Sequence, residues 1–171
     1  MRNRPQRRGT TSVEAALVYP VVIVTVLGLL VGGMGIFRYQ EVANLAREGA
    51  RYAATHAGQY QQENAAAITA GTLPNVNDDY ITKNIIKPRA YYMDTSKLQV
   101  SITINTPNGS FDWDSTSKNG ARWPSSQETI SNTNYNVTNT VSVTVTYPWV
   151  PEGLLVGPIN LSSTSVIPMC Y

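Results

Sequence analysis

The sequence predicts an α+β fold in which one long N-terminal helix, transmembrane in its first half, lies on a small antiparallel β-sheet. Three observations carry that prediction. An apolar run of 23 residues, Ala15 to Phe37, continues without a stop signal into strong helix formers as far as about His56. The hydrophobic period then changes from helical to two, in Leu98–Asn105 and again in Val141–Tyr147. Both strands alternate apolar residues with Ser, Thr, Asn or Gln, so each has one face to bury, and the second half of the helix is the obvious cover.

The helix comes first. Arg7, Arg8 and Gly9 precede it, Thr10 to Glu14 open it, and no charge follows until Arg38. At about 1.5 Å per residue the apolar run spans roughly 35 Å, enough to cross a bilayer core of about 30 Å with some tilt. It is longer than the apolar region of a cleaved secretory signal, and no A-x-A site closes it. The arginines precede the span, so the positive-inside rule places the N-terminus in the cytoplasm and the body outside. Gly28 and Gly32 form a G-x-x-x-G, with Gly35 three residues on; this face would admit a second helix closely. Pro20 lacks an N–H and is expected to kink or loosen the helix. Beyond the span, Val42, Leu45, Gly49 and Ala53 form a mostly small stripe at helical spacing, and Glu48 can pair with Arg51. One helix from about Thr11 to about His56 follows, roughly 70 Å long. His56 is expected to be a solvated helix-end residue.

Residues 57–77 read as a connection with a short helical piece, Asn64 to Ala70. Asp78 or Asp79 can cap a second helix in which Ile81 and Ile85 share a face and which Pro88 stops or kinks. The two good strands follow, and a weaker third, Ser163 to Ile167, is closed by Pro168 and expected at a sheet edge. A polar loop, 106–138, separates the first two. Its Phe111, Trp113 and Trp123 suggest that part of it packs as an extra hairpin. Another loop, Pro148 to Asn160, carries Trp149 and an apolar Leu154-Leu155-Val156, expected to pack under the sheet, with contact to the membrane surface or a neighbouring subunit as the alternative. Three strands and one or two helices bury only a small core.

Composition excludes several functions. Net charge is +2, but Arg2, Arg4, Arg7 and Arg8 supply four of 13 basic residues, and the remaining nine face 11 acidic ones. The basic balance is therefore a property of the N-terminal segment and no sign of nucleic-acid binding. The single cysteine, Cys170, excludes an internal disulfide. No phosphate loop, C-x-x-C or H-E-x-x-H occurs, so no enzyme, cofactor or small-molecule substrate is expected. Asp112 and Asp114 lack the third carboxylate and the glycine of a calcium loop, so no metal is expected either.

The spacing around Glu14 carries a resemblance. A glycine after arginines, a glutamate five positions later and an apolar helix resemble the class III signal of the type IV pilin superfamily. Val13-Glu14-Ala15-Ala16-Leu17, Pro20 and Arg47-Glu48-Gly49-Ala50-Arg51-Tyr52-Ala53-Ala54 are similar to TadE-like minor pseudopilins of the tight-adherence (Tad, or Flp) pilus machinery. Ala15 stands where that family often has Phe. The resemblance implies a leader, 1–9, cut by a prepilin peptidase between Gly9 and Thr10. It implies a membrane part at 10–37, a continuation at 38–56 and a head at 57–171. It also implies a role for Glu14 in subunit assembly. The implied partners are the membrane, other pilins or pseudopilins and the Tad assembly platform, in initiating an adhesive pilus. The other reading is an unrelated single-pass membrane protein with an outer sensory or scaffold domain, which would not be processed at Gly9.

Overall fold

The computed structural model describes residues 8–56, 59–107, 109–112, 127–129, 136–151 and 157–170. The first helix, α1, runs from Arg8 to His56. It passes through Pro20 unbroken, although that residue leaves the Ala16 carbonyl without its usual donor. Two short helices follow, α2 (Gln59–Glu63) and α3 (Ala65–Thr69). Gln61, in α2 at the start of this connection, is buried and donates from its side-chain amide to the carbonyl of Val76 at its end.

The segment from Asp78 to Arg89 is helical but irregular. It opens with an α turn, tightens last into a 3-10 turn, and between them Ile81–Ile86 form a π-helix. Here the sequence expectation needs two corrections. The cap is Asn77, whose side-chain oxygen accepts from the Tyr80 N–H at 2.7 Å, and neither Asp78 nor Asp79 takes that place. The buried pair is Ile81 and Ile86, with Ile85 only half-buried. A π-helix bonds i to i+5, so residues five apart share a face where an α-helix aligns residues four apart.

Four strands make the main antiparallel sheet: β1 (Gln99–Thr106), β2 (Gly109–Asp112), β5 (Thr140–Trp149) and β6 (Ile159–Pro168), in the order β2-β1-β5-β6. β3 (Gln127–Thr129) and β4 (Asn136–Thr138), within the long polar segment, form a separate antiparallel pair. The third predicted strand is an edge, as expected, but longer than predicted. Pro148 and Trp149 belong to β5, and Ile159 and Asn160 to β6, so the loop between them is shorter than the turn residues suggested. β2 was not visible in the sequence pattern.

One face of the sheet is covered by α1. Val141, Val143, Val145 and Tyr147 on β5 and Ile102 and Ile104 on β1 point into the core, with Val42, Leu45, Ala46, Ala50 and Ala53 from the helix. On β6 the inward positions opposite Val143 and Val145 are Ser165 and Ser163. Small residues on both sides let helix and sheet approach closely. At Gly49 an added Cβ would lie 2.9 Å from Ile86 Cδ1 and 3.2 Å from Val143 Cγ1. The opposite face of the sheet carries hydroxyls: Thr144 pairs with Thr164 at 2.8 Å and Thr146 with Ser162 at 3.0 Å across β5 and β6.

β5 runs antiparallel to α1 along its second half. Its start is fixed near the helix end: the Asn139 carbonyl accepts from the Met169 N–H, and the Cys170 N–H donates to the Ala54 carbonyl. Its end is fixed near the middle of the helix, where the Trp149 ring meets Gly35. Ten residues of strand at about 3.3 Å and nineteen of helix at about 1.5 Å cover similar distances, so the two match in length.

Candidate functional site

The region that distinguishes this molecule is the free part of α1 and its junction with the head. From Val13 to Leu30 the large apolar side chains are exposed, Leu17 and Leu29 at 72%. The most apolar 18-residue window has a mean hydropathy of 2.5 and only 6% of it is buried. A core helix of comparable hydropathy would be covered by its own domain. This one is long and apolar enough to cross a bilayer, and the described head covers little of it beyond Val31.

Gly9 and Thr10 fall in the backbone of the first turn of α1, ahead of the residues whose side chains are described. Glu14 is exposed on the next turn. At about 100° per residue, Glu14, Gly28, Gly32 and Gly35 lie within an arc of about 60° on one side of the helix. The glycines do not behave alike. An added Cβ at Gly28 or Gly32 meets nothing within 4 Å, whereas at Gly35 it would strike the Trp149 ring at 2.9 Å. Gly35 therefore serves packing within the chain, and Gly28 and Gly32 leave an open face.

Aromatic residues gather where the helix enters the head. The Phe37 and Tyr92 rings meet edge-on with centroids 6.1 Å apart. The Tyr92 N–H donates to Glu41 Oε1 at 3.3 Å, and the other oxygen of Glu41 lies 3.8 Å from the Arg38 guanidinium. A groove of about 260 Å³ opens beside them, between α1 and the turn at Tyr91 and Tyr92. Its carboxylates are already engaged, Glu41 as above and Glu48 with Arg89 at 3.7 Å. Glu48 thus pairs across to the irregular helix and not with Arg51, as the helical spacing suggested.

At the other end of the buried half, His56 stacks on Tyr52 with centroids 4.0 Å apart, and is partly covered instead of solvated. Burial, and then the neighbouring Tyr80, push the Tyr52 hydroxyl up to about 12. In the turn before β1, hydrogen bonds from Ser96, and less strongly Lys97, hold the Asp94 carboxyl below its usual range. Among the described residues no three His, Cys, Asp or Glu side chains gather as a metal site would require. The side chains of Asp112 and Asp114 lie outside the described residues, as do Phe111, Trp113, Trp123 and Leu154 to Val156. Sequence reasoning named Trp149 but missed its partner Gly35, and missed Glu41 with Tyr91 and Tyr92 altogether. Those contacts join residues far apart in the chain, and no local pattern announces them.

A free apolar helix thus continues into a helix-on-sheet head, an α+β protein with one candidate membrane span among the described residues. Residues 9–51, about a quarter of the chain, match the family model of the TadE-like proteins, so over this segment the chain is similar to that family. The match supports a minor pilin-like role associated with Tad pili and with the membrane. No curated protein and no solved structure matches the chain.

Proposed function

We propose that this chain is a minor pseudopilin that is processed by a prepilin peptidase between Gly9 and Thr10 and takes part in initiating or assembling a Tad-type pilus used in adhesion. The observation that carries the reading is the extent of the TadE-like match. It begins at Gly9, takes in Glu14 and the whole apolar run, and ends at Arg51 in the buried half of the helix. In this reading the leader 1–9 and the N-terminus are cytoplasmic and the head is extracytoplasmic, as the arginines before the span favour. The partners are other pilins or pseudopilins and the assembly platform.

Glu14 is the residue on which assembly turns. Cleavage creates an ammonium on Thr10, four residues before the carboxylate and so about 6 Å away along the same helical face. Glu14 can bond its own N-terminus or that of a neighbour docked with an axial offset. Near hydrocarbon either pairing offsets part of the desolvation cost, and pairing with a neighbour also sets register. The open face at Gly28 and Gly32, on the same side as Glu14, is where a neighbouring helix would approach.

Two measurements test this. Intact-protein mass spectrometry of the membrane-extracted protein is expected to begin at Thr10; retention of Met1 or Arg2 in cells with an active prepilin peptidase would refute processing. Glu14→Ala is expected to leave insertion and cleavage intact and to abolish pilus formation or incorporation, with Glu14→Asp partly active. Normal piliation by Glu14→Ala, at wild-type level and without the native copy, would leave the carboxylate a mere helix N-terminal residue.

A further inference from the structure

We propose that the end of the head nearest the span is a membrane-interface surface, with Trp149 and the turn at Tyr91 and Tyr92 seated in the headgroup layer of a phospholipid bilayer. The proposal rests on the reading of α1 as a membrane span and goes beyond it. It concerns the sheet domain, which no span reading requires to touch lipid.

Two segments remote in sequence are held at the same level of α1. The end of β5 is held by the Trp149 ring against Gly35, and the turn before β1 by the Tyr92 ring against Phe37 and by the Tyr92 N–H to Glu41. Gly35 to Glu41 is about 9 Å of helix, comparable with the depth of one interfacial layer. Around this level exposed aromatic and aliphatic side chains gather, Phe37 and Tyr39 on the helix, Tyr91 (78%) and Tyr92 on the turn, and Val150 and Ile159 beside Trp149, with Gln40 and Asn160 as polar residues among them. The outward-facing side chains further along β5 and β6 are largely hydroxyls, such as Thr144, Thr146, Ser162 and Thr164. Apart from Val166, the exposed large apolar side chains of the head gather at this one end, and they are continuous with the apolar helix.

The chemistry of that end fits one occupant. Trp and Tyr favour the membrane–water boundary because a flat apolar ring and a polar N–H or O–H are satisfied together there. The dimensions agree as well. Counting back from Gly35 by the twenty residues that cross a core of about 30 Å reaches Ala15, so Glu14 falls at the opposite boundary. The aromatic end of the head and the first carboxylate of the helix stand one hydrocarbon thickness apart.

The experiment uses the full chain in phosphatidylcholine bilayers whose acyl chains are brominated either near the glycerol end or near the methyl end. Trp113→Phe with Trp123→Phe leaves Trp149 as the sole indole. Trp149→Phe in that background, with Tyr91→Trp added, moves the reporter to the other segment. With Val26→Trp in its place, the reporter moves to the middle of the span. The proposal expects severalfold stronger quenching of Trp149 and of the Tyr91→Trp reporter by bromines near the glycerol end. The Val26→Trp reporter should be quenched most by bromines near the methyl end. If the Val26→Trp reporter is quenched while either head reporter responds to neither lipid, the head stands clear of the bilayer and the proposal fails, with the span reading intact. If the Val26→Trp reporter is not quenched either, both fail.

Discussion

Residues 12–30 and residues 38–56 belong to one helix, yet they are built for different surroundings. The first stretch displays large side chains, Val, Leu and Ile, and leaves them exposed. The second buries mostly small ones, with Ala46, Ala50 and Ala53 fully covered and Gly49 among them. A sheet is a rigid partner, and small residues on the helix let it lie close against the Val and Ile side chains of the strands. Lipid chains are fluid and fill around bulky side chains without any matching shape. Size along the helix therefore records what lies against it, and the change falls where Val31 becomes buried and Gly35 meets Trp149.

The largest test of this contrast is in the rigid half. Ile86 is fully buried, and its side chain reaches to Gly49 and so closes the helix against the head. Ile86→Ala is expected to lower head stability by about 2–5 kcal/mol, read as a fall in the urea midpoint of the detergent-solubilised protein by near-ultraviolet circular dichroism. An unchanged midpoint would mean that the π-helix is not part of the cooperative core. Gly49→Val follows. Its new atoms meet Ile86 and Val143 at contact distances that real Cβ atoms hardly reach. Overpacking of this kind costs about 1–3 kcal/mol. A gain in stability would show that the helix can shift away from the sheet, contrary to the rigid fit argued above.

A smaller effect comes from Tyr52, which is held neutral by burial and by Tyr80. Its pKa is raised from 10.0 unfolded to about 12 folded. The sign follows: the contribution to stability is complete below the unfolded value and is lost as pH rises through the folded one. One tyrosine should therefore ionise late in a phenolate absorbance titration, and the late step should vanish in Tyr52→Phe. A titration in which Tyr52→Phe removes an early step would contradict the burial.

How much of this was legible in the sequence depends on range. The long helix, β1, β5 and the edge strand β6 were readable because period and composition are local. So was the spacing of Gly9 and Glu14. β2 was not, since four residues, Gly109 to Asp112, are too short to show a period. The π-helix was not, because its register moved the buried partner of Ile81 from Ile85 to Ile86. Arg89 displaced Arg51 as the partner of Glu48 because tertiary approach overrode a weak i,i+3 preference. The contact of Gly35 with Trp149 joins residues over a hundred positions apart, so the sequence grouped Gly35 with Gly28 and Gly32 although the fold separates them.

That separation supports the smallest and most discriminating prediction. Valine at Gly28 or Gly32 would enter open space, since no atom of the chain lies within 4 Å of the new Cβ. It would also relieve the cost of glycine in a helix interior, about 0.5–1 kcal/mol relative to alanine, though part of that gain is returned by the stiffness of a β-branched side chain. The head should not feel either change, and its urea midpoint should stay within about 0.5 kcal/mol of the parent. Gly35→Val differs only in position, yet it must displace the Trp149 ring, and it should lower the midpoint and alter the indole emission. If Gly28→Val and Gly32→Val destabilise the head as much as Gly35→Val, the free half of the helix touches the head after all, and the two-surroundings account of α1 is wrong. If they leave the head untouched but weaken association between copies or pilin partners in membranes, the open glycine face is a helix-packing surface, and the two halves differ in partner while sharing the same reliance on small residues.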